Sequence, residues 1–192
     1  MSSASDQKRL IVVTAPSGSG KTTIVRHLLA KYNSLAFSVS AATRARRAHE
    51  KHGVDYYFVS GETFRQWIDE DAFVEWQEVY TDQYYGTPRF EIERLHGLGR
   101  HVIFDIDVVG ATNIKREFQD QAVVIFVKAP SMDAIIERLK SRKTETEQSL
   151  QKRIKKIERE LQFADTFDYV LVNDNLEEAL QRAEQIIEKE IT

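Results

Sequence analysis

The sequence predicts an α/β fold in which five parallel strands form one sheet flanked by helices, with a small mixed α/β insertion after the second strand and a helical hairpin after the fourth. Three observations carry that expectation. Apolar runs with strand character alternate with helical patterns, and Leu10, Leu35, His101, Gln121 and Asp168 open the candidate strands. A glycine-rich octet joins the first strand to the first helix, and a later strand ends in carboxylates. At 192 residues and 42% hydrophobic, the chain can bury one substantial core and carry insertions, but hardly two independent domains.

The octet is APSGSGKT, residues 15–22, between the strand-like LIVVT and a helical face of Ile24, Leu28, Leu29 and Tyr32. It matches GxxxxGK followed by Ser or Thr at every specified place except the first, where Ala15 stands for glycine. These residue types share one task. Gly18 and Gly20 lack a Cβ, so the backbone can curl around a phosphate with its N–H groups inward, while the next helix offers its positive end. Lys21 would reach the β and γ phosphates, and Thr22 would offer a hydroxyl to Mg²⁺. A flexible surface loop ending in Gly-Lys-Thr is the alternative; the flanking strand and helix favour the phosphate cradle of a P-loop NTPase fold.

LAFSVS, residues 35–40, reads as the second strand. AATRARRAHEKHG, residues 41–53, has no apolar periodicity. Charge alone makes it a solvated basic loop, although arginines beside a phosphate cradle also suit a second phosphate-bearing substrate. DYYFV (55–59) and FVEWQEVY (73–80) look like strands, with Phe64, Trp67 and Ile68 marking a short helix between them. Alternation places Glu75 between Val74 and Trp76, so it should face away from the surface they bury, as an exposed edge-strand carboxylate. YYGTP (84–88) predicts a turn into a helix, with Thr87 as N-cap, Pro88 in the first helical position and Gly97 and Gly99 closing it.

HVIFDID (101–107) is a strand leading into carboxylates. In P-loop proteins the metal-side aspartate lies at such a C-terminal end, so Asp105 is the candidate for the Mg²⁺ shell, through water. Asp107 points the same way if the strand persists. QAVVIFV (121–127) reads as a buried parallel strand, after which Ser131 caps a helix with Met132, Ile135, Ile136 and Leu139 on one face. Arg138 and Arg142, four apart, share a flank. Thr144 and Glu147 form a capping box for a long helix with Leu150, Ile154, Ile157 and Leu161 inward. Its Lys152, Arg153, Lys155, Lys156 and Arg159 read, on charge alone, as the solvated side of a hairpin. DYVLVN (168–173) is the last strand, and Asn175 with Glu178 boxes a terminal helix with Leu176, Ala179, Leu180, Ala183 and Ile187 inward.

A net charge of −3 gives no global attraction to nucleic acid or anionic membrane, and zero cysteines exclude disulfides and thiolate chemistry. No apolar run approaches a membrane span, and the first nine residues lack the hydrophobic centre of a signal peptide. Residues 1–7 read as a disordered leader. A soluble cytoplasmic protein without nucleic-acid or membrane partners is expected.

In this order and spacing, APSGSGKT, SVSAATRARR (38–47), DYYFVS (55–60), FVEW (73–76), YYGT (84–87), DID (105–107), RLKSRKTETEQSLQKR (138–153) and VND (172–174) resemble the bacterial-type guanylate kinases, from about Arg9 to the C-terminus. The resemblance implies reversible Mg²⁺-dependent phosphoryl transfer from ATP to GMP, giving ADP and GDP in purine nucleotide metabolism. It implies ATP binding by Ala15, Pro16, Ser17, Gly18, Ser19, Gly20, Lys21, Thr22 and Thr23, with Asn173 in the stretch lining the adenine pocket. Arg44, Arg47, Tyr56 and Tyr85 correspond to residues on the GMP phosphate, and Ser40, Glu75, Thr87 and Asp107 to residues around guanine. Guanine presents N1–H and N2–H₂ as adjacent donors, which a carboxylate at Glu75 can accept together; adenine lacks that pattern. Arg138, Arg142 and Arg153 correspond to lid arginines that join Lys21 over the transferring phosphate.

Under this resemblance the chain is one domain, with a core of 8–39, 88–130 and 164–192, a GMP-binding insertion of 40–87 and a lid of 131–163, as a monomer or homodimer. Val109 replaces a frequent glutamine, Ala41 and Ala42 a frequent Ser and Thr, and Lys143 a frequent lid glycine, which bears on the lid hinge and on water near guanine. Two other readings compete. Guanylate-kinase-like scaffold domains hold peptides, but typically with degraded loops or lid arginines. A kinase for a sugar phosphate or another nucleotide would keep the chemistry, but Ser40, Glu75 and Asp107 argue for guanine.

Overall fold

In the computed structural model, which describes residues 8–140 and 147–191, the chain begins β1 (Leu10–Thr14), α1 (Lys21–Lys31), β2 (Leu35–Phe37). It then builds a second unit from β3 (Ala41–Ala42), β4 (Tyr57–Phe58), α2 (Gly61–Asp69), β5 (Phe73–Tyr80) and β6 (Gln83–Pro88). It returns through α3 (Arg89–Gly97), β7 (His101–Asp105), α4 (Val108–Phe118), β8 (Ala122–Lys128) and α5 (Met132–Lys140). The last elements are α6 (Glu147–Leu161), β9 (Tyr169–Val172) and α7 (Leu176–Ile191). The expected leader, Arg142, Lys143 and the Thr144 half of the expected capping box lie outside the described residues.

The five apolar runs pair in parallel in the order β2–β7–β1–β8–β9. A parallel sheet is covered on both faces, which is why β1 before Thr14 and β8 before Lys128 are apolar and buried. Alternate residues of β1 feed opposite layers. Ile11 and Val13 pack with Ile24, Val25 and Leu28 of α1 and Ala183 and Ile187 of α7, while Leu10 and Val12 pack with Ile92 and Leu95 of α3 and Ala111 and Ile114 of α4. The expected hairpin faces also meet, since Ile135 and Leu139 of α5 cluster with Ile157 of α6. Leu176, expected inward on α7, is instead 46% exposed. It is the first residue of the helix, before the buried stripe begins.

The second sheet is mixed, in the order β4–β3–β6–β5, and Phe64 of α2 stacks on Phe73 of β5 with centroids 4.3 Å apart. The second strand stops at Phe37, three residues early, and Ala41 and Ala42, expected in the basic loop, are fully buried as β3. The strand expected over 55–59 shrinks to Tyr57 and Phe58. The stretch YYGTP is strand β6 rather than a turn, because pairing with β3 and β5 overrides its turn-forming composition. The chain reverses earlier, where Asp82 takes a φ of +60°, and Thr87 does not cap α3; Pro88 does, without a side-chain hydrogen bond.

Glu75 too departs from its expected place as an exposed edge-strand carboxylate. It is 8% exposed, whereas Trp76 is 44% exposed, the reverse of the expected burial. Phe73 pairs with Pro88 and Glu75 with Thr87, so Val74 is an extra residue. Such a bulge reverses the alternation after it, and Glu75 joins the face of Thr87.

Candidate active site

The octet forms a loop at the C-terminal end of β1. Gly18 and Gly20 have φ values of 89° and 91°, a left-handed backbone that residues with a Cβ rarely adopt. Gly20 is doubly required, because a Cβ there would collide with the amide nitrogen of Asn173. That amide donates to Ser19 O at 2.8 Å, and Arg138 donates to Asn173 O at 3.0 Å. Asn173 thus braces the loop from behind and carries a connection from Arg138 into it. No side chain caps α1, so its N-terminal end remains available to an anion.

Lys21 and Thr22 leave the loop on α1 and converge on one carboxylate. Lys21 Nζ lies 2.6 Å from Asp105 Oδ1 and donates to Ile106 O at 2.9 Å, while Thr22 Oγ1 donates to Asp105 Oδ2 at 3.0 Å. Asp105 stands where expected, at the end of β7. Among the described residues no three metal-ligating side chains gather into a cage. One hydroxyl and one carboxylate at this spacing fit Mg²⁺, which completes its shell with waters and phosphate oxygens.

Over the loop lies an open cavity of about 580 Å³, within the size range of small-molecule sites. Ala15, Pro16, Ser17, Gly18, Ser19, Gly20, Lys21, Thr22 and Thr23 line it with Asp105 and Asp107, and α6 closes one side with Arg153, Lys156, Ile157 and Glu160. Burial pushes the Glu160 carboxyl up, against the opposing pull of Lys156, whose Nζ is 3.5 Å away. Arg138 does not line this cavity but reaches it through Asn173, and Arg142 lies outside the described residues.

The other expected residues gather on the second sheet. Arg44 makes a two-pronged pair with Glu50, at 2.7 and 2.5 Å, and its guanidinium carbon lies 4.9 Å from the Tyr56 ring centroid and 5.4 Å from that of Phe58. Tyr56 meets Tyr85 edge to face at 6.0 Å, and the Arg47 backbone N–H donates to Glu50 at 2.8 Å. The Arg44 guanidinium holds the Glu50 carboxyl down at about 2. Ser40 sits half-buried at the entry to β3, its carbonyl accepting from Tyr57 N–H at 2.9 Å.

Beside them, Glu75 accepts from the Thr87 hydroxyl at 2.6 Å. Burial pushes its carboxyl up, Thr87 opposes that rise, and the nearby Asp107 adds to it. Gly110 on α4 allows this approach, because a Cβ there would stand 3.0 Å from Glu75 Oε2. Asp107 is not on a persisting strand. It caps α4 through Oδ1, accepting from Val109 and Gly110 N–H at 3.1 Å each, and its Oδ2 accepts from Gln77 at 3.2 Å. Asp107 therefore belongs to both halves of the site, since it also lines the cavity over the loop.

Glu50, Gln77, Tyr80, Lys156 and Glu160 are site residues that no motif picked out. For the last two a signal existed: 153, 156, 157 and 160 recur at helical spacing and form one face of α6. Val109, which departs from the common pattern, is 59% exposed, and its backbone N–H donates to Asp107.

The guanylate kinase family profile matches residues 7–190. The chain is 45% identical over 183 residues to a guanylate kinase of Bacteroides fragilis, covering 95% of this chain and 90% of that protein. It is 48% identical over 174 residues to a guanylate kinase of Salinibacter ruber, covering 91% and 92%. The crystal structure of guanylate kinase from Anaplasma phagocytophilum aligns with a TM-score of 0.74 at 30% identity, over 97% of this chain and 88% of that one. Because the family profile spans nearly the whole chain and the relatives are matched over nearly their whole length, the chain belongs to the guanylate kinase family.

Proposed function

We propose that the chain transfers the γ-phosphoryl group of ATP reversibly to GMP, giving ADP and GDP in purine nucleotide metabolism. One observation carries the reading. Lys21 and Thr22 of an intact loop share Asp105, and two residues on Asp107 joins that donor cavity to the cluster of Glu75 and Thr87.

A GMP phosphate oxygen attacks the γ-phosphorus, a new P–O bond forms, and the bond to the bridging oxygen breaks with its electron pair leaving on ADP. No side chain needs to act as nucleophile; the chain aligns the nucleotides and spreads positive charge over the developing transition state. Lys21, Arg153 and the loop N–H groups supply that charge, with Arg138 and Arg142 joining from the hairpin, and Ala15 to Thr23 and Asn173 shape the ATP side. Thr22 and, through water, Asp105 would hold Mg²⁺, which would supply further positive charge beside the donor phosphates. Arg44, Arg47, Tyr56 and Tyr85 hold the acceptor phosphate. Glu75 accepts the paired guanine donors, with Thr87, Ser40 and Asp107 completing the pattern. Closure of the insertion, 40–87, and of the lid, 131–163, onto the core excludes water, so that ATP is not hydrolysed.

No described helix is long and apolar enough to cross a membrane. A cytoplasmic monomer or homodimer acting on free nucleotides, without nucleic-acid partners, agrees with the modest net charge of −3. Lys21→Met tests the donor half. Turnover with ATP and GMP should fall by about three orders of magnitude or more with the circular dichroism spectrum unchanged, because the charge removed acts on the transferring group; near-normal turnover would contradict the reading.

A further inference from the structure

Tyr80 ends β5, at the tip of the second sheet, yet it lines the cavity over the phosphate loop together with Lys21, Arg153 and Lys156. It is 68% exposed, and among the described residues its side chain has no hydrogen-bond or ring partner. Packing therefore does not explain why a large aromatic side chain stands there.

The strand register explains how it arrives. Gln77 pairs with Tyr85 and Glu78 with Tyr84, but Tyr80 pairs with Gln83, which leaves Val79 as an extra residue. Strict alternation would put Tyr80 on the face of Glu78 and Trp76; the bulge transfers it to the face of Gln77 and Glu75. That face also carries Tyr85 and Thr87. Tyr80 thus sits at one end of the acceptor-side surface and at the rim of the donor cavity. A phenol there offers one O–H donor to an anion that lysine and arginine already attract.

The geometry points to Tyr80 as a substrate-contacting residue whose hydroxyl donates to the terminal phosphate of a bound nucleoside triphosphate, so that the acceptor-side sheet touches the group to be transferred. This rests on the phosphotransfer reading, and it adds a discrimination between triphosphate and diphosphate made from the acceptor side.

The test uses calorimetric binding of AMP-PNP and of ADP, each with Mg²⁺, to the whole protein and to Tyr80→Phe and Tyr80→Ala. Both variants should keep the wild-type melting temperature, since the side chain is mostly exposed. Removing a hydrogen bond to a charged group should weaken AMP-PNP about tenfold in Tyr80→Phe and leave ADP within about twofold. Equal weakening of both nucleotides, or no weakening of AMP-PNP, would overturn the assignment. So would a defect confined to Tyr80→Ala, which would make the ring and not the hydroxyl responsible. Wild-type turnover of GMP, measured on the same preparation, judges the underlying phosphotransfer separately, because these binding measurements contain no acceptor.

Discussion

Glu50 shows how a single residue outside every motif shapes the site. Its carboxylate grips both terminal nitrogens of Arg44 and also takes the backbone N–H of Arg47, so it fixes the two arginines proposed for the acceptor phosphate. Glu50→Gln should raise the KM for GMP about tenfold while the KM for ATP stays within about twofold, as expected when a charged hydrogen-bonded pair loses its charge. Equal changes for both substrates would assign Glu50 to general stability instead. A carboxyl held at about 2 in the folded chain lies below its unfolded value, so its contribution is complete above the unfolded range and is lost as pH falls toward about 2. Thermal melts between about pH 5 and 3 should therefore decline less steeply for Glu50→Gln than for the wild type. Lys21, Thr22 and Asp105 were legible in the sequence because the loop and the strand end have fixed spacing; Glu50 was not, because 41–53 has no periodicity to say which side chains turn inward.

Among the elements, β5 and its neighbours decide which side chains face the proposed acceptor site. Two bulges, at Val74 and Val79, set the faces of Glu75 and Tyr80, and neither bulge can be read from an apolar pattern. The parallel strands were legible for the opposite reason: strands buried on both faces give continuous apolar runs whose positions do not depend on register. β6 was misread because Gly-Thr-Pro is a turn composition. Gly86 is there for another purpose, since a Cβ would stand 2.9 Å from the carbonyl oxygen of Glu75 across the pair. Helix α4 makes a similar demand at Gly110. Gly110→Ala should crowd Glu75 and Ile106, destabilise the fold by about 1–3 kcal/mol in urea unfolding and weaken GMP more than ATP. Unchanged GMP affinity would show that Glu75 does not need this close approach.

At the scale of the whole molecule, the C-terminal edge of the five-stranded sheet assembles the half proposed for the donor from β1, α1 and β7, and the second sheet carries the half proposed for the acceptor. Asp107 joins them by capping α4, accepting from Gln77 of β5 and lining the cavity at once. Selectivity for GMP as phosphoryl acceptor is tested most directly by offering the wild-type protein ATP and Mg²⁺ with GMP, AMP, dTMP or a sugar phosphate and following ADP formation. A buried carboxylate that loses its two donors should make AMP slower than GMP by about four orders of magnitude in kcat/KM. Comparable ADP formation with AMP or a sugar phosphate, or none with GMP, would contradict it.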